Sequence, residues 1–78
     1  MNSVVKNINN SLNIIFEDNI NFYDLISELR NRLNIIINKS NNYHITLRIK
    51  NHLLDQEIKE LEETLKRYNI EKFVCIIY

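Results

Sequence analysis

The stretch Tyr43-His44-Ile45-Thr46-Leu47-Arg48-Ile49-Lys50 decides the fold. Ile45, Leu47 and Ile49 alternate with His44, Thr46, Arg48 and Lys50, which is the period of two required by a strand with one buried face. Upstream, Ser11 to Phe16 alternates in the same way, with Leu12, Ile14 and Phe16 on one side and Asn13 and Ile15 on the other. Val4 and Val5 form a shorter β-prone piece before it. The intervening Lys6-Asn7-Ile8-Asn9-Asn10 is rich in Asn, which tolerates the left-handed backbone of a hairpin connection. A hairpin is therefore expected to open the domain.

Between these strands the period changes. Phe22, Leu25, Ile26, Leu29 and Leu33 recur at helical spacing, whereas Asp24, Glu28, Arg30 and Arg32 fall elsewhere. Asn21 is the expected N-cap and Asp24 suits the positive end of the helix dipole. The polar run Asn38 to Asn42 breaks this pattern, and Ile35 to Ile37 fit either a longer helix or a sheet-edge cover. After the loop at Asn51 and His52, Asp55 is the expected cap of a second helix whose stripe is Ile58, Leu61, Leu65 and Tyr68. Glu57, Glu60, Glu62 and Glu63 precede Lys66 and Arg67 along it, the order a helix dipole favours. Asn69 offers a C-cap, and Phe73 to Tyr78 reads as a last strand that is apolar on both faces.

The order β-β-α-β-α-β implies an α+β two-layer sandwich, a mixed four-stranded sheet with two helices on one face. The expected core is Leu12, Ile14, Phe16, Leu25, Leu29, Leu33, Ile45, Leu47, Ile49, Ile58, Leu61 and Leu65. The opposite sheet face carries Ile15 and alternate members of the last strand, so it is the candidate binding surface.

Length and composition narrow the function classes. At 78 residues the chain forms one domain, residues 1–78, because two cores of this size would each bury too little surface. It contains neither Gly nor Pro. That excludes a glycine-rich phosphate loop, a dinucleotide fingerprint, a nucleophile elbow and an EF-hand loop, each of which needs a residue without a Cβ at a fixed place. Ten basic and ten acidic residues cancel, so neither nucleic acid nor an acidic membrane surface is an expected partner through bulk charge. Cys75 is the single cysteine, which rules out an intrachain disulfide and suggests a reducing, cytoplasmic setting. The apolar runs at Ile35 to Ile37 and around Val74 and Cys75 fall far short of a membrane span. The chain has 14 Asn and 14 Ile, a vocabulary typical of AT-rich coding, so the Asn excess is read as codon bias before chemistry.

No residue constellation points to catalysis. His44 and His52 have no carboxylate or cysteine at ligand spacing and read as exposed histidines. Cys75, in an apolar strand, reads as a small hydrophobe. The acidic residues Glu60 to Glu63 read as a solvated helix face. One charge pattern stands out: the segment from Arg30 to His52 holds Arg30, Arg32, Lys39, Arg48 and Lys50 without any Asp or Glu. Its simplest reading is that these cations point in different directions. The functional reading places His44, Thr46, Arg48 and Lys50 as a basic stripe beside the apolar patch. No enzyme activity, cofactor or metal is expected.

With these elements in order, the chain resembles the N-terminal domain of the bacterial septum site-determining protein MinC, a cell-division inhibitor. The residues that carry the resemblance are Val4-Val5-Lys6-Asn7, then Leu12-Asn13-Ile14-Ile15-Phe16-Glu17-Asp18, and Phe22-Tyr23-Asp24-Leu25. They continue with Ile45-Thr46-Leu47-Arg48-Ile49-Lys50-Asn51-His52-Leu53 and Glu57-Ile58-Lys59-Glu60-Leu61. Asn7 stands where the family has a turn glycine, and Ser11 where it has another. The family's glycine-rich β-helix domain, which carries dimerisation and binding of the ATPase MinD, is not in this sequence, so MinD is expected as a partner only if such a domain follows.

The resemblance implies a cytoplasmic, non-enzymatic domain that binds the tubulin-like protein FtsZ and antagonises filament and septum assembly. Lys6, Asn7, Ile15, His44, Thr46, Arg48 and Lys50 are the candidate partner-binding residues. Two alternatives use the same architecture. One is a small nucleic-acid-binding domain working through the basic stripe, although the aromatic motif of an RRM and a KH-type loop are both missing. The other is an anti-sigma-antagonist-like regulatory domain, for which Ser27 and Ser40 are poorly placed as phosphorylation sites.

Overall fold

The computed structural model describes residues 3–37, 44–50, 52–70 and 72–78. Its elements run β1 (Val4–Ile8), β2 (Ser11–Phe16), α1 (Phe22–Ile37), β3 (His44–Ile49), α2 (Asp55–Arg67) and β4 (Lys72–Ile77). They form a four-stranded sheet in the order β1-β2-β3-β4. β1 and β2 are antiparallel, while β2, β3 and β4 run parallel. The expected α+β fold with its β-β-α-β-α-β order is the fold observed. Both crossovers step the same way across the sheet. Right-handed connections then set α1 and α2 on one side and, among the described residues, leave the other uncovered.

The first turn is shorter than the sequence suggests. β1 continues through Lys6 and Asn7 to Ile8, and only Asn9 and Asn10 connect it to β2, with φ of 51° and 63°. A two-residue hairpin whose twist matches its strands needs positive φ at both central positions, and Asn is the best substitute for Gly there. Asn7 does not have positive φ. It is an ordinary strand residue paired with Leu12, so the glycine-like role falls to Asn9 and Asn10.

The helix ends follow local chemistry. The Asn21 side chain accepts the Tyr23 N–H at 2.8 Å, capping α1 as expected. α1 extends through Ile35 to Ile37: Ile36 is buried, whereas Ile35 is exposed. At α2 the N-cap is Leu54, not Asp55, which is the first helical residue; Leu54 has no side-chain acceptor, and Glu57 reaches back to accept its N–H at 2.9 Å. That is half of a capping box. Asn69, with φ of 61°, closes α2. Its N–H bonds the Lys66 carbonyl and the Ile70 N–H bonds the Leu65 carbonyl, the paired bonds of a Schellman cap, with Ile70 and Leu65 both buried beneath it.

Ile14, Phe16, Leu25, Leu29, Leu33, Ile45, Leu47, Ile49, Leu61 and Leu65 form the centre of the core as expected, while Leu12 and Ile58 are only partly buried at its margin. Ile26, Ile36, Leu53 and Ile70 complete it. The buried Thr64 hydroxyl donates to the Glu60 carbonyl one turn back, which satisfies a polar group inside an apolar stripe. The polar run at Asn38 to Asn42, with Lys39, Tyr43 and Asn51, lies outside the described residues.

Candidate functional site: the open sheet face

Paired residues of neighbouring strands point to the same side of a sheet, so the register defines the uncovered face. One row across it is Val4, Ile15, Arg48 and Ile76; the next is Lys6, Asn13, Thr46 and Val74. Ile8 and Ser11 form a pair at one end, and His44 and Lys72 another. Val4, Ile8 and Val74 are exposed, with Val74 at 57%, while Ile15 and Ile76 are half-buried.

The middle of this face is polar and internally bonded. Arg48 Nε donates to Asn13 Oδ1 at 3.0 Å, and Asn13 Nδ2 donates to the Ser11 carbonyl at 3.2 Å. The Ser11 and Thr46 hydroxyls lie 2.9 Å apart. Asn13 is only 3% exposed although no helix covers it, because its neighbours across the strands lie over it. A hydrogen-bonded polar strip thus runs along β2 and β3, with apolar side chains of β1, β2 and β4 around it.

Of the residues singled out from sequence, Lys6, Ile15, His44, Thr46 and Arg48 belong to this face. Asn7 points to the helix side, as its pairing with Leu12 requires. Lys50 is exposed just beyond the end of β3. Among its described residues, the cations of the basic segment do not make one patch. Arg32 lies in the helix layer, where it bonds Ser3, and Arg48 is half-buried against Asn13. Asn13 itself carried no signal beyond its strand position; an Asn and an Arg on adjacent strands can be matched only once the register is known.

Cys75 pairs with Leu47 and shares its helix-side face. Burial, with a smaller contribution from the Glu62 carboxylate, pushes its thiol above the ordinary value of 9.0. A neutral, half-buried thiol is a packing group and a poor nucleophile at neutral pH. Among the described residues no group of three or more His, Cys, Asp or Glu side chains is placed to hold a metal ion. No helix among them is long and apolar enough to cross a membrane. The groups that the open face presents are apolar side chains, hydroxyls, the Asn13 amide and the cations Lys6, Arg48 and Lys72. No family model, curated protein or solved structure matches the chain.

Proposed function

We propose that this chain is a non-enzymatic interaction domain that binds FtsZ through its open sheet face and opposes filament and septum assembly. The observation that carries the reading is the uncovered face itself: a sheet with helices on one side and Val4, Ile8, Ile15, Val74 and Ile76 grouped on the other. Apolar residues around a satisfied polar centre suit a protein partner, which can bury the former without breaking bonds in the latter. The element order and its residues, similar to the N-terminal domain of MinC, supply the identity of that partner. The mechanism would be antagonism by binding, with no chemical step.

The bonded state of Arg48 and the displacement of Arg32 weigh against the nucleic-acid alternative. Phosphate binding draws on several cations grouped so that together they displace the counterions condensed on the nucleic acid; here Arg32 bonds Ser3 in the helix layer and the Arg48 Nε is held by Asn13.

The test is co-sedimentation of the chain with FtsZ filaments, with light scattering to follow assembly. The reading requires the chain to pellet with the filaments or reduce their assembly, and Ile15→Asp to lose that effect while folding normally. Absence of both effects, together with salt-sensitive binding of single-stranded nucleic acid, would transfer the function to the alternative.

A further inference from the structure

We propose that β4 is a self-association edge, at which two copies of the chain join their sheets by antiparallel pairing of β4 with β4 about a two-fold axis. This inference does not depend on the identity of the partner of the open face.

β4 ends the strand order, with β3 on one side and, among the described residues, no strand on the other. The Tyr78 N–H bonds the Ile49 carbonyl at 3.0 Å, so the backbone groups of Tyr78 and, by alternation, of Ile76 and Val74 turn towards β3. Those of Phe73, Cys75 and Ile77 turn outward, to an edge where no described strand receives them. An unprotected edge of this kind is a template for another strand.

The two edges of the sheet differ in their protection. β1 carries Lys6 at its centre, a charge that discourages edge pairing, and next to it the polar Asn7. β4 carries a single charge, Lys72, at its first residue; the rest is Phe73-Val74-Cys75-Ile76-Ile77. It has no Pro, no central charge and no bulge in its register with β3. Val74, Ile77 and Tyr78 are exposed.

The strand is complementary to itself in one register. A two-fold axis perpendicular to the sheet keeps the helices of both copies on the same side, so only positions of equal parity can pair. Centring the axis on Cys75 sets Phe73 against the partner's Ile77 and Cys75 against the partner's Cys75. Each outward N–H of Phe73, Cys75 and Ile77 then meets a carbonyl of the other copy, and none is left over. On the open face Val74 falls opposite the partner's Ile76. Lys72 falls opposite the partner's Tyr78, where an ammonium can lie against an aromatic ring. The two Lys72 charges sit at opposite ends of the pairing, so the strand's one charge does not repel its copy. Shifting the axis to Val74 carries Ile77 past the first residue of the partner's β4 and puts Lys72 against an isoleucine. The self-complementarity of the Cys75-centred register is what makes a second copy of this chain the occupant. A single strand pair buries less than a standard interface, so the association is reversible and concentration-dependent.

The experiment is sedimentation equilibrium over a wide concentration range, with residue-resolved amide hydrogen exchange on the same samples. The expected mass rises from the 9.4 kDa monomer towards twice that value, while the Phe73, Cys75 and Ile77 amides slow together as concentration increases. Cys75→Pro removes an outward N–H without touching the β3 ladder, and should abolish both changes while retaining the circular dichroism of the parent. Should that variant fail to fold, Val74→Lys sets two ammonium groups diagonally across the axis and should also abolish both. A mass that stays at the monomer at every concentration would overturn the proposal. So would a dimer in which these three amides still exchange freely, since it would be built on another surface.

Discussion

Arg32 grips Ser3 with one guanidinium: its Nε donates to the Ser3 hydroxyl at 2.9 Å and its Nη2 to the Ser3 carbonyl at 2.7 Å. The Ser3 hydroxyl in turn donates to Glu28 Oε2 at 2.7 Å, and Glu28 and Arg32 stand one turn apart on α1. A helix thereby fixes the start of the edge strand β1, which the sheet holds from one side only. Ser3 is 6% exposed, so loss of its partners leaves buried polar atoms unmatched. Arg32→Ala should lower unfolding free energy by about 1–3 kcal/mol in urea titration. Arg32→Lys should recover only part of that loss, because an ammonium cannot reproduce the forked contact.

Leu47 sits at the centre of the core at 0% exposure, between Ile14 and Cys75 in the sheet. Leu47→Ala should cost about 2–5 kcal/mol, against a total of about 3–5 kcal/mol for a domain of this size. Thermal denaturation should find the variant largely unfolded at 37 °C. A melting curve that overlays the parent would be incompatible with this packing.

The hairpin turn offers a test with two signs. Asn10→Gly should be neutral or stabilising, since glycine adopts φ near 63° without a Cβ clash. Asn10→Val should destabilise by about 1–2 kcal/mol. Substitution at Asn7 should show no such contrast between Gly and a β-branched residue, because its backbone is extended.

Binding at the open face should respond differently to apolar and charged substitutions. Ile15→Asp should abolish binding at any salt concentration. Lys6→Glu and Lys50→Glu should weaken it mainly at low salt, since exposed charges are screened within about 8–10 Å at physiological ionic strength. Arg48→Glu is a poor probe of docking. It also breaks the bond to Asn13, and should therefore lower stability together with binding.

Cys75 predicts a pH effect. Its folded thiol titrates above the ordinary 9.0, first because it is buried and second because Glu62 is near. The folded state therefore holds the proton more tightly than the unfolded state. The resulting stabilisation is fully present below the unfolded pKa and is lost as pH rises through the folded one. Alkylation by iodoacetamide at pH 8 should be slower for the folded chain than in denaturant, and Glu62→Gln should accelerate it in the folded state.

Alternation and helical spacing were enough to read the element order and the centre of the core from sequence. The buried face of β3 is visible in Ile45, Leu47 and Ile49, and the stripe of α1 in Leu25, Leu29 and Leu33, because amphipathic periodicity is a local property. Caps were legible where the side chain could make the bond itself, as at Asn21. They were misplaced at Asp55, where the acceptor comes from Glu57 three residues beyond the Leu54 cap.

What the sequence determined by itself is a short list: a small α+β domain, its strands and helices, and a composition without the glycines of phosphate and nucleophile loops. Tertiary structure decided where the charges went. Arg32 and Arg48 lie in one segment free of acidic residues, yet one anchors Ser3 in the helix layer and the other binds Asn13 on the open face. Periodicity assigns a residue to a face of its own element, whereas a patch, a polar network or a bare strand edge depends on which elements become neighbours. That is fixed by the long-range pairing of β2, β3 and β4, which depends on burying both helices against one sheet and is written in no single stretch of the chain.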